Sequence, residues 1–319
     1  MTHATIKASQ VIHGFVVQDV FAEGRGGMAR VVRATPQTKR PGGPDDVALK
    51  ISRNATDAYY EQALRAETEV LRRFSHPGVV KILPIPTSAG RTTYMARATE
   101  LDGTPWFFVM EFLAGGSLDA YIKALGKLEI PEAAHIAAKV GHALDHVHHQ
   151  NYAHNDLKPE NVLFRRELKP GEKFDPVLID FGIAAKLSRT QADAMTLRFT
   201  SPERLEQVQG ATAPEVANDP SKADIWALSI LFYRMLAGKL PFDGISDKTI
   251  TTAIRTQHPN PLRNINPAVP AEIDEYIINK CLNKLPRFRP TAREFADFMD
   301  QYGARAVVSK AAKKRRLFG

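Results

Sequence analysis

Tyr152-Ala153-His154-Asn155-Asp156-Leu157-Lys158-Pro159-Glu160-Asn161 sets a carboxylate, an ammonium and a carboxamide within one short stretch. Further on stands Leu178-Ile179-Asp180-Phe181-Gly182, an apolar run that ends on a second carboxylate. Asp156 can accept a proton. Asn161 and Asp180 are hard oxygen donors of the kind that suit a divalent cation. Lys158 supplies a cation close to Asp156. Proline at 159 and glycine at 182 place both stretches in or beside loops.

Working upstream, two weaker features gain meaning from these. Gly24-Arg25-Gly26-Gly27-Met28-Ala29-Arg30-Val31 joins two β-favouring runs, Phe15-Val16-Val17 and Val31-Val32-Arg33-Ala34. Glycines let backbone N–H groups approach phosphate oxygens. Alone, the same stretch reads equally as a hairpin turn. Val47-Ala48-Leu49-Lys50 ends an apolar strand on a lysine. A buried ammonium needs an anion, and Glu67 shares a helical face with Leu64 and Leu71 over 58–74. A lysine whose ammonium reaches back to solvent is the plainer reading. A backbone cradle, a phosphate-holding cation, metal ligands and a base are the parts that phosphoryl transfer requires.

The stretch from His154 to Asn161 resembles the protein-kinase catalytic loop H-R-D-L-K-P-E-N, and Asp180-Phe181-Gly182 resembles the D-F-G of the same family. Ser201-Pro202-Glu203 is similar to its A-P-E, and Arg289 to the arginine that pairs with that glutamate. Asp224-Ile225-Trp226 is similar to the start of the helix that braces the catalytic loop. The resemblance spans about 14–301 and implies an α+β, two-lobed protein-kinase fold. A small antiparallel sheet lobe with one key helix would cover about 14–112, and a larger, mostly helical lobe about 117–301. An extension (1–13) and a basic tail (302–319) would flank them.

The resemblance implies a serine/threonine protein kinase of bacterial eukaryotic-type character that uses ATP with Mg²⁺, or Mn²⁺ in its place. Asp156 and Lys158 would be catalytic, and Asn161 and Asp180 would hold the metal. Gly24, Gly26 and Gly27 would cover the phosphates, and Lys50, held by Glu67 rather than Glu69, would position them. Met110, Glu111 and Leu113 would form the adenine-binding hinge, with Val31, Ala48 and Leu163 about the ring, in a cleft between the lobes. Lys158 and Thr196 argue for serine or threonine substrates. Protein substrates are the implied partners, with a homodimer fitting autophosphorylation. The other readings are a catalytically silent pseudokinase scaffold and a small-molecule phosphotransferase. The intact Lys50, Asp156, Asn161 and Asp180 count against the scaffold. The lysine of Asp156-Leu157-Lys158 and the closing Pro202-Glu203 count against the phosphotransferase.

Asn155 departs from the family's arginine, which pairs with a phosphorylated activation segment. A neutral side chain cannot make that pairing, so activity is expected not to depend on a phosphate recognised there. Ala29, Met195, Ser201 and Ser229 also depart, without removing a reacting group. The stretch 206–221 and the stretch 87–105 are longer than the pattern needs, and the first reads as an exposed loop.

Net charge is +8, but Arg305, Lys310, Lys313, Lys314, Arg315 and Arg316 follow the last acid, Asp300. The rest is nearly balanced, so no nucleic-acid partner is expected, and a membrane role only if the tail is juxtamembrane in a longer protein. Residues 1–10 lack an apolar core, so no signal peptide is expected. Ile225 to Leu236 is short of the roughly 20 residues that span a bilayer and reads as a buried helix. The lone Cys281 fits a reducing, cytoplasmic location. His142 and His146 are four apart on a helix, and the sequence offers no Cys or acid cluster to complete a metal site with them.

Overall fold

The computed structural model describes residues 6–21, 29–38, 42–53, 57–87, 90–181, 197–208, 219–304 and 306–308. It divides into two units: Met1–Ser75 with Val80–Phe112, and His76–Val79 with Leu113–Gly319. The first is rich in sheet and the second in helix, as the α+β expectation requires.

Strand alternation organises the first unit. Strands β1 (Val11–Ile12), β2 (Phe15–Val20), β3 (Ala29–Pro36) and β4 (Val47–Ser52) are followed by helix α1 (Ala58–Leu71). Short strands β5 (Ile82–Leu83), β6 (Ile85–Pro86), β7 (Thr92–Thr93) and β8 (Ala96–Arg97) lead to β9 (Trp106–Glu111). The main sheet runs β1-β2-β3-β4-β9-β5, with β8 also on β9, and its paired strands are antiparallel. Val32, Val47, Leu49, Ile51, Phe107 and Val109 point to one face and form the core. With a side-chain period of two, Val31, Ala48, Lys50, Phe108 and Met110 share the opposite face. The register confirms it: Val31 pairs with Lys50, Lys50 with Phe108, and Ala48 with Met110.

Both ends of this unit differ from the sequence reading. Ile6 and Ile12 are buried in the core and β1 pairs with β2, so ordered packing begins ahead of residue 14. Residues 76–79 belong with the second unit, because Leu178 donates its amide to the Gly78 carbonyl at 2.8 Å. The stretch 87–105 is no idle loop: Ala96, Ala98 and Leu101 enter the core.

The second unit holds helices α2 (Leu118–Leu125) and α3 (Ile130–His148), strands β10 (Val162–Phe164) and β11 (Pro176–Leu178), and helices α4 (Pro202–Val208), α5 (Ser221–Ala237), α6 (Asp247–Thr256), α7 (Leu262–Ile265), α8 (Ala271–Glu275) and α9 (Ala292–Gly303). Helix α8 continues as a π-helical turn over Tyr276–Cys281. Pro131 opens α3, where its missing N–H costs nothing. Helix α9 lies on α3, and a Cβ on Gly303 would sit 2.3 Å from the His135 nitrogen, so only glycine fits. Ala306 and Val308 are buried too, and the Val308 amide donates to Glu172 at 2.8 Å. Packing therefore runs past residue 301. Helix α4 takes in part of the expected 206–221 loop, of which 209–218 lie outside the described residues. Ile225 to Leu236 is buried within α5, apart from the half-buried Arg234. No helix among the described residues is long and apolar enough to cross a membrane.

Lys284 lies over the rings of Trp226 and Phe242, 4.9 and 4.1 Å from their centroids. Burial first, and then the neighbouring Arg289, push its pKa down to about 8. The unfolded chain keeps a lysine near 10.4. Between these values the unfolded state binds more protons, so stability rises with pH. Chemical denaturation across this window should show the wild type gaining on Lys284→Met as pH rises from about 8 to about 10. A pH-independent difference would contradict the shift.

Candidate active site

Lys50 projects from β4 on the face opposite the core, and Glu67 is on the buried side of α1. The ammonium donates to both carboxylate oxygens, at 2.6 and 2.7 Å. Their side chains are only 12% and 10% exposed. Breaking such a pair from one side typically costs about 3–5 kcal/mol, because a buried charge is left alone. Glu69 instead lies exposed beside Arg72 at 3.4 Å, so the glutamate paired with Lys50 is Glu67. The helix period decides this: two residues along α1 turn a side chain roughly 200° away.

In the second unit the loop between α3 and β10 is held from below. Asp224, in the first turn of α5, accepts the amides of His154 at 2.7 Å and Asn155 at 2.9 Å. His148, at the end of α3, reaches the same carboxylate at 2.9 Å. Burial opposes the Asp224 charge, yet the His148 ring and the Asn155 amide hold it below the usual carboxylate range. His154 is fully buried, and burial lowers its pKa in spite of the nearby aspartates. A neutral ring fits its contacts. Nε2 lies 2.9 Å from the Ile179 carbonyl, which can only accept, so Nε2 carries the proton. Nδ1 is then free to accept the Asp156 amide at 3.3 Å. The ring also packs on Phe181, with centroids 4.6 Å apart.

Two groups then converge on one carboxylate oxygen. Lys158 Nζ lies 3.2 Å from Asp156 Oδ2. Asn161 Nδ2 donates to the same oxygen at 3.0 Å and to the Asp156 carbonyl at 2.7 Å. The Asp156 side chain stays 27% exposed and that of Lys158 16%, so neither is fully buried. The ladder brings Asp180 to this loop: Val162 pairs with Leu178, and the Ile179 amide donates to the Asn161 carbonyl at 3.0 Å. Asp180 has φ 54°, a left-handed conformation that Asp tolerates better than most residues. Because Asn161 uses its NH₂ on Asp156, its amide oxygen faces elsewhere. An amide oxygen and a carboxylate form a donor set that fits a hard divalent cation.

A family model for the protein kinase domain matches residues 21–298. The chain belongs to the protein kinase domain family. Among curated relatives, it is similar to the serine/threonine-protein kinase PrkC of Bacillus subtilis, 29% identical over 262 residues, 80% of this chain and 35% of the relative. The serine/threonine-protein kinase PkaA of Streptomyces coelicolor is likewise 29% identical over 262 residues, 79% of this chain and 42% of the relative. The tyrosine protein-kinase src-1 of Caenorhabditis elegans is 25% identical over 270 residues, 81% and 44%. The chain thus spans less than half the length of these relatives.

The other residues expected at the site belong to one unit or the other. Val31, Ala48 and Met110 share the sheet face of Lys50. Glu111 points the other way, and its carboxylate takes the Lys81 amide at 2.8 Å. Its own N–H donates to the Lys81 carbonyl at 2.9 Å, so that N–H is already engaged. In the second unit, Leu113 is buried and Leu163 half-buried on β10. Gly24, Gly26, Gly27, Gly182, Met195 and Thr196 lie outside the described residues. Glu203 and Arg289 form a two-pronged pair at 2.7 and 2.8 Å, with the arginine side chain 0% exposed.

The histidine reading needs a correction. Asp297 and Asp300 from α9 stand beside His142, and ligand atoms of the three lie within 4.8 Å of one another. The sequence could not show this, since α3 and α9 meet only in the fold. Two of these groups bind each other, His142 to Asp300 at 2.8 Å, and Asp297 takes Arg293 at 3.1 Å. His148 was also missed as a brace, its signal being one place in the last turn of α3.

Titration with ATP and Mg²⁺ should separate the two glutamates. Glu67→Gln should weaken binding about 10- to 100-fold, the scale of a lost charged hydrogen bond. Glu69→Gln should change it less than about 2-fold, as exposed ion pairs do. Equal effects would remove Glu67 from the site.

Proposed function

We propose that this chain is an ATP-dependent serine/threonine protein kinase. The observation that carries the reading is the meeting of Lys158 and Asn161 on one oxygen of Asp156. The oxygen of a protein hydroxyl attacks the γ-phosphorus of ATP, a new O–P bond forms, and the bond to the β-phosphate oxygen breaks to release ADP. Asp156 takes the hydroxyl proton. Its hydrogen bond from Asn161 fixes where the carboxylate points, and Lys158 offsets negative charge on the moving group. Lys50, oriented by Glu67, holds the α- and β-phosphates. Asn161 and Asp180 would hold Mg²⁺, or Mn²⁺ in its place, which when bound neutralises charge between the phosphates.

Lys158 supports serine or threonine as the acceptor, since tyrosine kinases usually lack a lysine there. Autophosphorylation through a transient homodimer and a cytoplasmic location belong to the same reading. The silent-scaffold alternative gains no support, since Lys50, Asp156, Asn161 and Asp180, the residues the reaction needs, are all present in the chain.

Purified chain incubated with γ-labelled ATP and Mg²⁺ should label itself or a generic basic protein on serine or threonine. Asp156→Asn removes the base and should slow transfer by about 10²–10⁴-fold, and Lys50→Met should lose transfer through lost phosphate positioning. Label on tyrosine would overturn the acceptor class. ATP binding without transfer under either metal would overturn the enzyme reading.

A further inference from the structure

Asn155 and Arg204 are 49 residues apart, and neither is among the groups that hold nucleotide or metal. In the fold they meet. Arg204 Nη1 donates to the Asn155 backbone carbonyl at 2.7 Å and lies 3.3 Å from the Asn155 side-chain oxygen. That carbonyl and the Asp156 N–H are the two ends of one planar peptide group. The N–H end donates to His154 Nδ1 at 3.3 Å. Rotating this peptide would break a charge-assisted bond at one end and a buried contact at the other.

Asn155 is held on its other bonds as well. Its amide ends on Asp224, and its side-chain NH₂ donates to the Ala153 carbonyl at 3.1 Å. Its φ of 66° lies in the left-handed region that asparagine adopts more readily than other side chains. Arg204 is equally well founded. It follows Glu203 on α4, and Glu203 is locked to the buried Arg289. An arginine at 155 would bring a second guanidinium up to Arg204, whereas Asn155 brings an acceptor.

We propose that Arg204 is a positioning residue for Asp156: through the Asn155 carbonyl it fixes the peptide that aims the carboxylate. This rests on the kinase reading for what Asp156 does, but not for the anchoring itself. It makes the order of the catalytic loop follow from α4, through Glu203–Arg289, Arg204 and Asn155 in turn. It also supplies a fixed cation at the residue where the family's arginine is missing.

The test uses the full chain with Arg204→Met, Arg204→Lys, Asn155→Arg and the Asn155→Arg/Arg204→Met pair. Steady-state kcat and KM for ATP are measured beside melting temperature and hydrogen–deuterium exchange of the 153–158 segment. Arg204→Met should lower kcat about 10- to 100-fold, the scale of a displaced catalytic group. KM for ATP should stay within about 2-fold, since nucleotide binding is untouched. Exchange at 153–158 should quicken, while that of α5 stays as in the wild type. Arg204→Lys, which keeps one charged donor, should recover most of the kcat. Asn155→Arg should slow transfer through repulsion, and adding Arg204→Met should cost that variant nothing more.

Unchanged kcat and exchange in Arg204→Met overturn the proposal. So does a lysine variant no better than methionine with both melting lower, which marks plain packing. If Arg204→Met does not fold, Asn155→Arg decides, and an unaltered kcat there counts against the proposal. If the wild type transfers no phosphate, the kinase reading fails by itself. The exchange of 153–158 then decides on its own whether Arg204 holds the loop.

Discussion

Two consecutive amides, those of His154 and Asn155, end on one buried carboxylate, Asp224. The loop that carries Asp156 has little regular structure of its own, so its shape depends on this acceptor. A carboxylate that receives hydrogen bonds from N–H groups makes stronger bonds than a neutral acceptor would. Its place in the first turn of α5 adds the favourable field of a helix N-terminus. His148 satisfies more of the same group from α3. The loop is thereby fixed to two long helices whose own packing is apolar and nearly complete.

Buried charge elsewhere follows the same logic. Lys50–Glu67 orders the face of the sheet that bears Val31, Ala48 and Met110. Glu203–Arg289 fixes α4, with the guanidinium also donating to the Lys222 and Asn283 carbonyls. Arg234 and Asp119 do likewise between α5 and α2 at 2.8 Å. Such pairs add little net stability over apolar side chains of the same size, but removing one partner is costly. Their effect here is on geometry. Glu203–Arg289 and Arg234–Asp119 tie together elements distant in the chain, where an apolar contact would permit sliding.

How much of this was legible in the sequence depends on distance along the chain. The site in the catalytic loop was readable because Asp156, Lys158 and Asn161 sit within one short segment. Glu67 could be preferred to Glu69 because helix period alone separates their faces. Strand β1 was not readable, since a pair such as Val11–Ile12 is too short to show alternation. Helix α2 did carry signals, with Ser117 capping the Ala120 amide and Gly126 at φ 83°, but its few residues were overlooked. The π-helical turn at Tyr276–Cys281 leaves no mark in the apolar pattern. The meetings of Arg204 with Asn155, and of His142 with Asp297 and Asp300, join segments that only the fold brings together.

The dependence of the catalytic loop on Asp224 is most directly tested with Asp224→Asn, which keeps size but leaves one acceptor oxygen and turns a donor toward a donor. Transfer rate and the exchange of the His154 and Asn155 amides should be followed together in the folded protein. The expected result is a kcat lower by about 10- to 100-fold, the scale of losing a charged hydrogen bond, with both amides exchanging faster and α5 intact. A kcat within about 2-fold of the wild type, with both amides still protected, would contradict it.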